Sequence, residues 1–367
     1  MWRAALAATP PPPRPLPWLL LPVPGGGFRA SCALSGGAFH DHITITLGLI
    51  PPGARFVGSH DGAWLFRVPP ATRLHRLLNL RTGNVWALPR GFRPFNDDLR
   101  PSEDMVILAA TLSAPPGDRD CVAAAIVAYW PPPPDPKKPA PAGNVFLGRR
   151  RLVLWRMGAM VALDFSPGRR TEEEFEPEDV VYHDGAFRVL TRGGDILVHT
   201  PLLNPDGVGL LGAPVVLRSF RPVSHHHLEV VLARYLVASR GEVLMVERLL
   251  DARHPTGHSF RVFREVGPQA HGGEYAWSEL PALGGRILFV GHGCSRAYDA
   301  ELYEGLEEGI YFHDDATLYE EYKEIGNADV RRTYTCNDNG RWSSHRVTLC
   351  LARQEPSHYS PPVWLLP

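Results

Sequence analysis

Near its C-terminal end the sequence reads GIYFHDDATLYEEY, Gly309 to Tyr322. His313, Asp314 and Asp315 carry the imidazole and carboxylate groups that bind divalent metals, but such a site needs a third ligand, and no ligand motif surrounds them. His40 and His42 share the i,i+2 spacing that puts two rings on one strand face, and His225, His226 and His227 form a run, but neither set has the motif spacing of a metal site. Cys294 sits in GHGCS, whose order is not that of a nucleophile elbow. With no charged groups nearby to depress its thiol, the segment reads as a turn. Gly25 to Gly27 lack the following Lys-Ser/Thr of a phosphate cradle. An enzyme reading would need Asp61, Asp184 and Asp314 to converge on a central channel, yet all three suit turns. No catalytic, cofactor-binding or metal residue is therefore assigned, and no cofactor is expected.

The elements that would position these groups are short strands. Glycine (35) and proline (37) are spread through all 367 residues, and sustained helical periodicity is scarce. Apolar runs bounded by turn residues predict strands at His42 to Ile50, Ala63 to Val68, Val122 to Trp130, Arg151 to Met157, Ala186 to Leu190, Asp195 to Thr200, Tyr235 to Ser239, Glu242 to Leu250, Ser259 to Val266, Arg286 to Gly291, Gly309 to His313 and His345 to Ala352. Asp61-Gly62, Asp184-Gly185 and Arg240-Gly241 each separate two such runs, as two-residue hairpin turns do. LLNLRTGNVWALP and YAWSELPALGGRILFVG each carry an aromatic followed by Leu-Pro, like outer strands. Repeated hairpin pairs over this length predict an all-β chain, a single β-propeller of about six or seven four-stranded blades. His313 to Asp315 then mark the point where a strand gives way to a turn, with Asp side chains capping local backbone donors.

Thirty-eight Lys+Arg against 39 Asp+Glu leave a net charge of -1, which offers no global field for nucleic acid or an anionic membrane. TEEEFEPED (Thr171 to Asp179) and GRRRLVLWR (Gly148 to Arg156) read as solvated charged faces. Pro131 to Gly143 is an extended insertion without ladder donors. The five cysteines form no CxxC pair and suit free thiols in a reducing compartment. Prolines bound the short apolar stretch Trp18 to Leu21 on both sides, which fits neither a signal nor a membrane span. The absence of acidic residues before Asp41 gives a faint transit-peptide character, making plastid import the minor alternative to cytoplasm or nucleus.

The ordered set PLPWLLLP, FVGSHDGAWLF, LLNLRTGNVWALP, EDVVYHDGAFRVL, YLVASRGEVLMVER, FRVFREV, WSELPALGGRILFVG, GIYFHDD and PPVWLLP resembles the plant F-box proteins that carry a KIB-type β-propeller. The resemblance runs from about Trp18 to Pro367. It implies two parts: residues 1–17, a Pro-rich tail in which MWRAALA is similar to the last turn of an F-box, and a propeller over 18–367 with the insertion at 131–143. It also implies a non-enzymatic protein-interaction role, recognising a substrate for a ubiquitin ligase; kinases are the targets the family name suggests. The adaptor-docking helices of the F-box are not in this sequence, so binding to the adaptor of a cullin-type ligase is not expected. The chain would hold its target without delivering it. The alternative is a propeller hydrolase with a metal or carboxylate site.

Overall fold

The computed structural model describes residues 16–23, 27–40, 54–68, 74–95, 101–129, 149–165, 175–204, 210–251, 258–268, 274–315 and 333–367. The predicted strand at 42–50, the insertion at 131–143 and most of the N-terminal tail lie outside them, as do Gly25, Gly26 and His42.

Strands β1 (Trp18–Pro22) and β2 (Phe28–Ser31) form a hairpin. Blade 1 follows with β3 (Arg55–His60), β4 (Trp64–Val68), β5 (Arg76–Asn79) and β6 (Val85–Ala87), paired in that order. Blade 2 holds β7 (Gly91–Pro94), β8 (Glu103–Leu112), β9 (Val122–Tyr129), β10 (Arg149–Arg156) and β11 (Val161–Asp164). Blade 3 is β12 (Pro177–His183), β13 (Ala186–Thr191), β14 (Ile196–His199) and β17 (Val215–Arg218), with the small hairpin β15 (Leu202–Leu203) and β16 (Leu210–Gly212) inserted before its last strand. Blade 4 is β18 (Glu229–Ser239), β19 (Glu242–Asp251), β20 (His258–Val266) and β21 (Ala276–Glu279). Blade 5 contains β22 (Arg286–Phe289), β23 (Arg296–Asp299), β24 (Gly309–Phe312), β25 (Gly340–Ser343) and β26 (Arg346–Thr348). The last strand, β27 (Val363–Leu365), pairs with β1 and makes a three-stranded sheet from both ends of the chain.

These sheets close into a β-propeller. Five have four or five strands, and the terminal sheet is the sixth member of the ring. Strand β3 packs on β8, β8 on β12, β12 on β18, β18 on β23, and β27 on β3. The remaining gap is closed where the Trp364 indole packs edge-on against Phe289, with centroids 5.0 Å apart, and donates to the Val290 carbonyl at 2.8 Å.

Inner strands such as β9 are buried on both faces. Ala123, Ala125, Val127 and Tyr129 enter the core shared with blade 1, while Val122, Ala124 and Ile126 enter the core shared with blade 3. Successive side chains point to opposite faces, and the alanines leave room for neighbouring sheets to approach.

Three sheets depart from the expected four-stranded pattern: the terminal sheet has three strands, and blades 2 and 5 have five each. In blade 2, β11 pairs parallel with β7 while β7 pairs antiparallel with β8, so the sheet closes on itself. In blade 5, the chain reverses from β22 into β23 and crosses back through 300–308 to lay β24 parallel to β22 on its other edge. The expected strand His345 to Ala352 is confined to β26. Leu351 and Ala352 leave the sheet for the core beneath β1 and β27, where the Ala352 N–H donates to Ser31 Oγ at 3.0 Å.

Candidate functional site

The sequence motif HDD lands in a buried polar cluster that ties three blades together. Asp315 is buried, and its carboxylate accepts from the Tyr235 hydroxyl of β18 at 2.7 Å and from the His292 N–H at 3.3 Å. These partners are remote in sequence, so Asp315 is a link between blades 4 and 5. The expected local turn cap is replaced by this longer-range role. His313 Nε2 lies 3.9 Å from Asp315 Oδ2, beyond hydrogen-bond reach. Burial drives the His313 ring below its ordinary value and Asp314 above its own.

A second carboxylate completes the cluster. Asp179, fully buried at the start of β12, accepts the N–H groups of Gly293 at 2.6 Å, Leu236 at 2.7 Å and Val180 at 2.8 Å. Burial pushes its carboxyl up to about 8 against the pull of those three donors, with the nearby Asp315 charge adding to the rise. The GHGCS turn brings Gly293 there. Its φ is 72°, and a Cβ would stand 2.7 Å from the Ala110 nitrogen.

Arg248 forms the outer part of the cluster. It is fully buried, donates to the His313 carbonyl at 3.0 Å and to Asp338 at 2.5 Å, and lies 4.8 Å from the Phe312 ring centre. Asp338 also meets His258 Nε2 at 2.9 Å. Against the cost of burial, the His258 hydrogen bond and the Arg248 charge hold Asp338 below the usual carboxylate range.

This arrangement is suited to fastening strands. Between His292, His313, Asp315, Cys294, Gly58 and Phe56 lies a cavity of about 20 Å³, room for about one water molecule. Among the described residues, no group of three or more His, Cys, Asp or Glu side chains is placed to hold a metal ion. Burial pushes the Cys294 thiol up to about 12, the opposite of an activated nucleophile.

The remaining candidates are dispersed. Asp61 and Asp184 occupy left-handed positions, φ 50° and 49°, in the hairpin turns expected of them. Asp61 turns between β3 and β4 of blade 1, Asp184 between β12 and β13 of blade 3, and Asp314 follows β24 of blade 5, and among the described residues no metal-holding group of acidic side chains joins them. His40 meets Cys32 Sγ at 3.3 Å. His225 turns inward to Glu247 at 2.8 Å, while the His226 and His227 rings pack on each other at 4.2 Å. Glu247 also receives Arg234 Nε at 3.0 Å, and Arg234 reaches Glu178 at 3.2 Å. Two segments expected to be solvated are partly interior: Asp179 belongs to the cluster above, and Arg150 is buried against Glu176 at 2.8 Å.

The KIB1-4 beta-propeller family profile matches residues 35–335, most of this ring of sheets. The chain belongs to the KIB1-4 beta-propeller family. A search among curated proteins found no match. The matched span takes in blades 1 to 4 and most of blade 5, and leaves the strands of the terminal sheet outside it.

One surface of this KIB1-4 propeller is both apolar and exposed. Strand β17 is the outer strand of blade 3, and Val215, Val216 and Leu217 are 42, 59 and 39 % exposed. Leu202 and Leu211 of the preceding hairpin add further exposed apolar surface. The Thr200 N–H donates to the Pro214 carbonyl, and the β14–β17 register continues that pair. Hydrogen-bonded positions therefore fall at Pro214, Val216 and Arg218. In an antiparallel ladder the alternate residues turn their N–H and C=O groups the other way, so Val215 and Leu217 present theirs to the open edge. Among the described residues no strand pairs with that edge. Sequence reading missed it because VVLR reads as an ordinary short strand.

Proposed function

We propose that this KIB1-4 propeller is a non-enzymatic interaction protein that holds a protein target along the outer edge of blade 3. The observation that supports the reading is the strip Val215 to Leu217, apolar on both faces and open on its hydrogen-bonding side. An extended segment of a partner adds to such an edge through main-chain hydrogen bonds and gains specificity from alternate side chains. Two other outer strands are more polar, since β21 ends in Ser278 and Glu279 and β26 begins with Arg346, while the apolar β6 is shorter and its Trp86 packs back on the blade 1 core. The resemblance to F-box proteins makes a kinase the target class, and substrate recognition for a ubiquitin ligase the setting. Five free cysteines suit the reducing cytosol or nucleus.

The test is proximity labelling in cells with the full chain and its Leu217→Asp variant. A set of proteins, kinases among them, enriched by the wild type and lost from the equally abundant variant is the expected result. Identical partner sets would remove the strip from the function.

A further inference from the structure

We propose that the open edge of β17 pairs with the same edge of a second copy of this chain, antiparallel, with Val216 facing Val216 across the two-fold axis. The inference rests on reading this strip as a docking surface.

The register is self-complementary. Val215 and Leu217 direct their free main-chain groups outward. Centring an antiparallel pair on Val216 sets Val215 of each copy opposite Leu217 of the other, so these residues exchange N–H···O=C bonds in both directions. A shift by one residue would bring Val216, whose backbone groups are already used by β14, into the bonding positions. The side chains agree with the main chain. From Ala213 to Leu217 the segment APVVL carries no charge, so no like charges meet along it, and Arg218 falls opposite Pro214. Arg218 is itself engaged by Glu265 on blade 4, which draws its charge away from the edge. A chain of net charge -1 adds almost no long-range repulsion between copies.

An exposed apolar edge is a template for another strand, and a second copy is the partner always present at equal concentration. A closed two-fold pair uses up both edges, so association stops at the dimer, and a target reaches the strip only by displacing the second copy. The central pair is of the non-hydrogen-bonded kind, in which facing side chains approach most closely. Charge placed at position 216 therefore meets itself.

Sedimentation velocity of the full chain between 1 and 100 µM (about two decades around the weak range of small interfaces) should show a monomer–dimer equilibrium. Val216→Glu and Val216→Lys should each weaken it more than tenfold, because like charges then face each other. Mixing the two variants in equal amounts should restore the dimer. Position 216 is well exposed, so both variants should keep the wild-type melting temperature. A wild type that stays monomeric throughout, variants that dimerise as before, or a mixture that fails to re-associate would each overturn self-pairing. If the wild type is monomeric while Leu217→Asp still loses labelled partners, self-pairing fails and the docking strip stands; if partner labelling is also unchanged, both fall.

Discussion

The carboxylate of Asp179 accepts the main-chain N–H of Gly293 at 2.6 Å across 114 residues of sequence. That bond joins the first strand of blade 3 to the turn following β22 in blade 5, and Leu236 of blade 4 donates to the same carboxylate. A propeller held by apolar contacts between neighbouring sheets gains here a polar fastening that specifies which strand ends meet.

Asp179→Ala should therefore destabilise the fold severely. It leaves three buried N–H donors without acceptors, each worth roughly 1–3 kcal/mol, so a loss of about 3 kcal/mol or more is expected in denaturant unfolding. A change below about 1 kcal/mol would mean that water reaches those donors and that the fastening is not needed.

Acid should weaken the protein before the carboxylates of the surface titrate. His75 shows why: Ile107 N–H donates to its Nε2 at 3.3 Å, so Nδ1 carries the proton and faces the Pro89 carbonyl at 3.2 Å. Protonating Nε2 sets two donors against each other. Burial holds His75, His199 and His292 down to about 4, and with help from the Arg296 charge also His60. The unfolded chain takes up these protons from about pH 6.5, and the folded chain does not. Stability is thus whole above pH 6.5 and lost as pH falls towards 4, by up to ~1.4 kcal/mol per histidine per pH unit. Asp179 and Asp314, raised by burial, contribute the opposite slope, but the four histidines outnumber them. Melting temperatures should fall between pH 6.5 and 4.5, and His75→Phe should flatten that dependence. A flat profile for the wild type would contradict neutral buried rings.

The cysteines give a simpler readout. Cys32, Cys121, Cys294 and Cys336 are buried, whereas Cys350 is half-buried. A thiol reagent at neutral pH should modify Cys350 first, with Cys294 protected until the chain unfolds. Early labelling of Cys294, mapped by mass spectrometry, would show that the GHGCS turn opens in the native state.

The parts of this fold that were legible in the sequence are those governed by local backbone chemistry. Asp61-Gly62, Asp184-Gly185 and Arg240-Gly241 occupy the positive-φ turns that their residue types allow. The turn at Ser344 and His345, φ 49° and 61°, escaped notice because neither residue is Gly, Asn or Asp. The polar cluster was illegible for a different reason. Asp179 ends a charged run and Asp315 ends HDD, but the donors that make them interior, Gly293 and Tyr235, are set beside them only by the closing of the ring. Arg150 reads as solvated in the sequence for the same reason, since its partner Glu176 lies far along the chain.

Two glycines with nearly equal backbone angles separate local strain from packing. Gly185 has φ 73° in an open hairpin turn, and a Cβ there would meet no atom within 4 Å. Gly293 has φ 72°, but its Cβ would lie 2.7 Å from the Ala110 nitrogen and 3.0 Å from the Ala110 oxygen, backbone atoms of β8 that cannot swing aside. Gly185→Ala should cost about 1–2 kcal/mol, the price of a left-handed alanine. Gly293→Ala carries that same cost, and in addition it must push blade 2 away from the Asp179 fastening. Its destabilisation in chemical denaturation should be at least twice that of Gly185→Ala. Equal values for the two variants would mean that the turn following β22 can retreat from Ala110 without disturbing the ring, and that Gly293 is required for its backbone angle only.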